Sequence, residues 1–403
     1  MTSGSGAGPR GRAQQALAQG DVASALQICR HALRRVRDGS RIDSCATISP
    51  AEASTLPSIE QIFSVEDRMV ESSAVLIEGL KQYSHWSLPY APPAIRLLRL
   101  RRCTVFWPNV IVSEEGLLLD DNAGFRTSAL CDHAPPDFPG LIAGSGHVLL
   151  RMPGAAAAPV REPAFFLNAS RNYAAWLFAD LPRLLARPKA GPGRVLLHGE
   201  ALDFHAQSLR AVGIGAGEVL PAAQDAPLKC EELYYCTSTY MDHAPSASGI
   251  AWLRQRLAAL EPPAEPAARR VYLSRENVPA SRPLLNERQL AAYLRARAFD
   301  VVAPEALSFR EQVGAVSGAE AVGGPYGANL ANGMFPHRAR GALIIATKEQ
   351  PEISRMFSVL GVPHAHACAE RIRIRNAPTF SASYGFRVDL GQVGRCLEAL
   401  GIS

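Results

Sequence analysis

Val322-Gly323-Gly324-Pro325-Tyr326-Gly327-Ala328-Asn329-Leu330 follows an apolar approach from Ala319 and leads into Ala331-Asn332-Gly333-Met334-Phe335. An apolar strand entering a glycine-rich turn and then a helix leaves unpaired N–H groups at the helix start, and these attract a phosphate or another anion. The stretch therefore reads as strand, diphosphate seat and helix. Glycines 323, 324 and 327 also let the backbone approach a ligand closely. A tight strand-to-helix turn that binds nothing has the same composition.

Working outward, apolar runs and helix-period patterns alternate on both sides of this stretch. Before it lie a strand over 270–273, a helix over 286–297, a strand over 300–302 and a helix over 308–317; after it come a strand over 341–346 and helices over 352–360 and 392–400. Upstream of the proline-rich segment 261–266, read as a linker, a second such series runs through strands 164–167, 195–198 and 232–236 and helices 172–183, 204–212 and 249–260. Alternation of this kind predicts an α/β fold with mostly parallel sheets covered by helices. Two β/α units in succession place a cleft at the C-terminal edges of their sheets.

Earlier still, 103–107, 110–112, 117–119 and 147–152 read as strands, with Glu115-Gly116 as a hairpin turn. Residues 58–82 carry Ile59, Ile62, Phe63 and Val70 at helix-face spacing, and the polar stretch 38–57 reads as a linker. Two short helices over 13–37, broken at Gly20-Asp21, resemble one tetratricopeptide unit, which is either a docking appendage for a protein partner or an ordinary helical hairpin. The expected partition is a helical extension over 1–90, a first β/α domain over 91–262 and a second over 263–403.

Composition bounds the function classes. With 403 residues, 47% hydrophobic and 20% charged, the chain has the profile of a globular protein of more than one domain. A net charge of +5 is too small for a nucleic-acid-binding signature. Eight cysteines without a C-x-x-C pair indicate a reducing compartment rather than a disulfide framework or a zinc ribbon. The Gly/Ser-rich start lacks the apolar core of a signal peptide, and no run reaches the roughly 18 apolar residues of a membrane helix. A cytoplasmic protein, or one peripheral to the inner face of a membrane, is expected. The basic run Arg96 to Arg102 is either a contact for anionic lipid carriers or a solvated face.

Several polar residues fall at the predicted cleft. Arg275 after Ser274 stands at a strand end, where its planar fork suits a phosphate, and Arg282 lies in the same loop. Asn286-Glu287 opens the next helix, with Asn286 as ligand contact or N-cap, and Glu311-Gln312 precedes the glycine turn. Together with Asn172-Tyr173, Trp176 and Leu181-Pro182-Arg183, and with the turn from Gly324 through Asn332, this set resembles glycosyltransferase family 61 over roughly 98–370. The resemblance implies a GT-B-like fold of two Rossmann-like domains and inverting transfer of a sugar from a nucleotide-diphosphate sugar. The acceptor would be a glycan, free or lipid-linked. It further implies substrate binding by Asn172, Tyr173, Trp176, Ser274, Arg275, Arg282, Asn286, Glu287, Glu311, Gln312, Gly324, Tyr326, Gly327, Ala328 and Asn329.

The chain departs from the family at three polar positions. Ala175 stands where a histidine is usual, Ala179 where an acidic residue is usual and Tyr326 where the turn usually has a histidine. The catalytic base is then sought in Asp180, one residue on from Ala179, or in His198 at a strand end. No cofactor or metal is expected, since the sequence has no D-x-D pair; the alternating run His364-Ala365-His366-Ala367-Cys368-Ala369-Glu370 is either a set of ligands on one strand face or an edge strand. A catalytically silent sugar-nucleotide-binding or scaffold protein, and more distantly a nucleotide-sugar epimerase, are the alternatives.

Overall fold

The second sheet is parallel as expected, but the first is mixed, with a parallel end and a long antiparallel continuation, and both are wider than the sequence pattern implies. The computed structural model describes residues 9–33, 41–78, 89–92, 94–106, 110–113, 115, 117–119, 141–144, 147–152, 158–222, 227–241, 244–260, 269–278, 283–346, 351–374 and 384–402. In the first sheet, Val219–Ala222, Arg194–His198, Ala164–Asn168 and Leu228–Cys236 lie side by side in that order, all parallel. The long Ile95–Phe106 strand then pairs antiparallel with Leu228–Cys236 and carries the sheet on through Val110–Val112, Leu117–Leu119, Arg41–Ile48, His147–Met152 and Leu141–Gly144. The second sheet is parallel throughout, in the order Phe299–Val302, Arg269–Leu273, Ala319–Pro325, Gly341–Ala346, His364–Cys368 and Ala74–Glu78. Its Gly341–Ala346 strand is apolar and buried at every position, as a strand covered on both faces must be.

Two expectations for the N-terminal region are corrected. The described part of the helix expected over 58–82, residues 58–78, is not helical: Ile59–Val65 pairs antiparallel with Ile95–Phe106, and Ala74–Glu78 crosses to the outer edge of the second sheet. The pairing shifts register between Gln61 and Phe63, and such a bulge inserts a residue into the strand alternation. That is why Ile59, Ile62 and Phe63 imitate a helix face. The supposed linker 38–57 contains the Arg41–Ile48 strand and a capped turn at Pro50–Ala53, with Ser49 and Glu52 forming a capping box.

The two N-terminal helices, Pro9–Ala18 and Val22–Leu33, turn at Gly20, whose φ of +80° is left-handed. Their apolar residues Ala13, Leu17, Ala25 and Cys29 are buried together with Leu149 of the first sheet, so this face is covered by the chain itself. The basic run becomes part of the Ile95–Phe106 strand, where Arg99 pairs with Glu60 at 2.7 Å and Arg96 donates to Gln61 Oε1 at 3.0 Å on the neighbouring strand. Residues 261–266, the expected interdomain linker, lie outside the described residues. Among the described residues no helix is long and apolar enough to cross a membrane.

One apolar cluster lies between the sheets. It holds Leu97, Phe165, Trp176 and Leu181 from the first half and Val271, Phe309, Leu330 and Phe357 from the second. The helical segment from Tyr173 to Lys189 is at its centre, and it changes from an α turn (Tyr173–Ala175) to a π segment (Trp176–Asp180) to a 3-10 segment (Leu181–Lys189). Pro182 and Pro188 lack the N–H that a regular helix needs, which accounts for the tightened second part.

The His364 run is not an edge strand, because Ala74–Glu78 lies outside it. His364 is fully buried, with Ser73 Oγ 3.1 Å from Nδ1 and Ser354 Oγ 2.5 Å from Nε2. Burial lowers its pKa from 6.5 to about 4, and that of His366 falls well below 6.5 through burial and then through His364. An unfolded histidine titrates near 6.5, so between about pH 6.5 and 4 the unfolded chain binds more protons and stability falls as pH falls. In urea unfolding, the wild-type midpoint is therefore expected to drop more steeply over this window than that of His364→Gln. The His364 share should approach about 3 kcal/mol at the acid end; parallel curves for the two proteins would refute this.

Candidate active site

In the second sheet the chain order reverses beside Arg269–Leu273, which has Phe299–Val302 on one side and Ala319–Pro325 on the other. Ligand crevices of parallel sheets open at the C-terminal ends of such a strand pair. Here those ends carry Ser274-Arg275 and Tyr326-Gly327. The buried carboxylate of Glu287 ties the first loop down, accepting from Tyr272 Oη at 3.2 Å, Ser274 Oγ at 2.9 Å and the Arg275 amide at 2.6 Å. From that loop Arg275 reaches across the strand boundary and donates from Nη1 to the Tyr326 carbonyl at 2.8 Å.

This arrangement corrects the reading of the glycines. Gly323 and Gly324 lie within the Ala319–Pro325 strand, where a Cβ would stand 3.0 Å from Leu343 Cβ and 2.7 Å from the Leu273 carbonyl respectively, so they serve strand packing. Gly327 has an extended backbone that any residue adopts; its lack of a side chain makes room for Arg275, whose Nη1 would lie 1.6 Å from a Cβ there. Only the short 3-10 segment Ala328–Met334 follows. The positive end of this crevice is thus a guanidinium rather than a helix start.

Beyond Tyr326 the site gains residues that the sequence reading missed. The Tyr326 hydroxyl donates to Glu352, in the first turn of the Pro351–Val359 helix that follows the Gly341–Ala346 strand. Tyr240 faces Glu352 from the first half; its phenol is pushed up by burial and then by the Glu352 carboxylate, with Arg355 acting in the opposite sense. Tyr240 stacks on Phe178 at 5.9 Å, and Arg355 lies over the Tyr90 ring at 4.8 Å. Tyr90, Tyr240, Tyr326, Glu352 and Arg355 therefore meet at one corner between the sheets. An acidic first turn after a parallel strand was the available signal for Glu352.

A second cluster joins the halves. Tyr173 Oη donates to Asn332 Oδ1 at 2.8 Å, and Asn332 Nδ2 donates to Gln312 Oε1 at 3.0 Å. Burial among the Phe204 and Phe309 rings pushes the Tyr173 phenol up, holding it as a neutral donor. The remaining motif residues are structural. Trp176 is in the core with Nε1 donating to Ser208 Oγ at 2.8 Å, and Asn172 caps its own helix by accepting from the Ala175 amide at 3.1 Å. Asn286 makes no side-chain cap: it clasps Val388 through both amide groups, at 2.8 and 3.2 Å. Glu311 is exposed and completes a capping box with Ser308. Asn329 reaches Glu305 at 3.3 Å, Ala328 opens the 3-10 segment, and Arg282 lies outside the described residues.

Neither expected base faces the crevice. Asp180 is 0% exposed, accepting from Ser170 Oγ at 2.5 Å with Arg183 beside it, and Arg183 in turn donates to the Ala179 and Cys236 carbonyls at 2.7 and 2.8 Å. The one-residue offset from Ala179 turns this carboxylate into the polar filling of a buried helix. His198 is also 0% exposed, and its ring packs on Phe166 in the cluster on the opposite face of the first sheet from Trp176. In the His364 run, the first ring is taken up by serine hydroxyls; among the described residues no group of three or more histidine, cysteine or acidic side chains converges as metal ligands.

Removing the Tyr173 hydroxyl should leave Asn332 Oδ1 without its donor. Tyr173→Phe is expected to cost about 1–2 kcal/mol in chemical unfolding, and clearly less in an Asn332→Ala background because the two groups share one contact. Additive losses would show that the bridge does not couple the halves.

Comparison with known proteins bears on one continuous part of the chain. No curated protein matches it. Residues 173–344 match the family described as Glycosyltransferase 61. The matched stretch opens at Tyr173, holds Arg275, Gln312, Tyr326 and Asn332, closes inside the Gly341–Ala346 strand and stops short of Glu352. By this stretch the chain is similar to glycosyltransferases.

Proposed function

We propose that the protein is an inverting glycosyltransferase that moves a sugar from a nucleotide-diphosphate sugar to a glycan acceptor without a metal ion. The observation that carries this reading is the placement of Arg275. Its guanidinium stays charged at any working pH and donates to the Tyr326 carbonyl, while Glu287 holds its backbone amide, at the strand reversal where ligands of parallel sheets bind. A departing diphosphate gains negative charge as the glycosidic bond breaks, so an anchored guanidinium favours the transition state over the ground state. The match to glycosyltransferase 61 over 173–344 supports the same reaction class. On this reading the second sheet is the donor side and the first the acceptor side of a GT-B-like pair. The family-like arrangement then needs no resident cofactor.

A sugar-nucleotide-binding protein without turnover is the second reading, favoured by one observation: Asp180 and His198 are both shut into the interior. Binding and turnover separate the two.

A panel of nucleoside diphosphates and their sugars, screened by thermal shift, should raise the melting temperature equally with and without EDTA. A strict divalent-ion requirement would overturn the metal-free reading. Arg275→Ala should keep the fold and weaken nucleoside diphosphate binding by roughly 1.5–3 kcal/mol, with Arg275→Lys recovering only part. Gly327→Ala should weaken binding to a similar degree at little cost in stability, since the added Cβ meets the far end of a flexible side chain. Unchanged affinity by titration calorimetry in folded Arg275→Ala would remove this residue from the site.

A further inference from the structure

We infer that Glu352, oriented by the Tyr326 hydroxyl, is the general base of the reaction proposed above; this rests on that reading and adds the group it lacks. A base must lie within reach of the acceptor hydroxyl, and a carboxylate is already in its proton-accepting form at neutral pH. Other carboxylates near the sheet edges have partners of their own: Glu276 pairs with Arg288, and Glu200 with Arg171 at 3.4 Å. Asp180 is sealed in with Ser170 and Arg183, and Glu287 collects the Tyr272, Ser274 and Arg275 donors. Glu311 caps its helix, and Asp67 accepts from Ser246 Oγ at 2.7 Å and from the Ser248 amide at 3.0 Å at the start of the Ala247–Leu257 helix. Glu305 is exposed and bonded by Asn329 at 3.3 Å. Glu352 is half-buried as a residue, with Oε1 on the Tyr326 hydroxyl and Oε2 shielded from solvent, and its charge reaches Tyr240 of the first half.

Its position relative to Arg275 fits an inverting displacement. Both groups are bound to Tyr326, Arg275 at the backbone carbonyl and Glu352 at the phenol, so a tyrosine's length separates cation from base. In the step, Glu352 takes the proton of the acceptor hydroxyl as that oxygen bonds to the anomeric carbon. The bond from that carbon to the diphosphate oxygen breaks, its electron pair leaves with the diphosphate, and Arg275 stabilises the charge. Attack from the Glu352 side and departure on the Arg275 side invert the centre.

The test uses the full chain, a nucleotide sugar that the wild type binds, and release of nucleoside diphosphate followed against pH with and without sodium azide. Azide is an acceptor that needs no deprotonation. Glu352→Gln is expected to bind nucleoside diphosphate within about twofold of wild type, to release it about 100-fold more slowly and to lose the acidic limb of the pH profile. Azide should restore the variant by about tenfold or more, giving a glycosyl azide of inverted configuration, and leave the wild type little changed. Tyr326→Phe should fall between the two, and Glu305→Gln should match wild type. A Glu352→Gln protein with wild-type turnover, or with a loss that azide does not restore, overturns the assignment while nucleotide binding keeps the donor site intact. Wild-type protein that binds nucleotide sugars but never releases diphosphate also overturns it, in favour of the silent reading. Wild-type protein that binds no nucleoside diphosphate overturns the glycosyltransferase reading itself, and this assignment with it.

Discussion

The apolar cluster shared by the two sheets is the constraint on which the rest of the molecule depends. Trp176, Leu177, Leu181 and Leu184 enter it from a helical segment that is buried along most of its length, so every polar group on that segment must be satisfied inside the protein. Partners drawn largely from other segments meet the demand: Trp176 donates to Ser208, Arg183 donates to the Ala179 and Cys236 carbonyls, and Asp180 accepts from Ser170. The Asp180 carboxylate thereby becomes a packing element. The same cluster draws the C-terminal edges of the two sheets together, so the corner around Tyr326 is assembled by packing before any ligand arrives.

Electrostatics in that corner follow a division of labour. Glu287 lies behind the crevice and spends its carboxylate on three donors, which orders the loop carrying Arg275. Arg275 is thereby held on an ordered loop, with its Nη1 on the Tyr326 carbonyl. Glu352 stands at the other end of the same tyrosine, half-buried and bordered by Tyr240. Opposite charges thus stand at the two ends of one neutral aromatic residue.

The N-terminal region belongs to both sheets. Ile59–Val65 extends the first beside Ile95–Phe106, and Ala74–Glu78 closes the second beside His364–Cys368. Ser73 and Ser354 then bracket a buried, neutral His364. A run of alternating histidines that suggested ligands is instead the penultimate strand of a sheet, kept neutral because nothing in that apolar setting would compensate its charge.

The sequence by itself determined the repeating β/α pattern of 164–260 and 269–346, because apolar strands and amphipathic helices are recorded in local periodicity. It also placed Arg275 and Tyr326 at a sheet edge, since a strand end is a local property. What only the tertiary structure decided was pairing and burial. Ile59–Val65 imitated a helix because a bulge with a distant strand set its spacing, and the glycines at 323 and 324 answered to Leu343 and Leu273 rather than to a ligand. Asp180 and His198 looked available along the chain but lie inside it, while Glu352, with no motif of its own, is brought to Tyr326 by parallel strand pairing. Solvent access and long-range hydrogen bonds arise from packing between distant segments, and no local spacing encodes them.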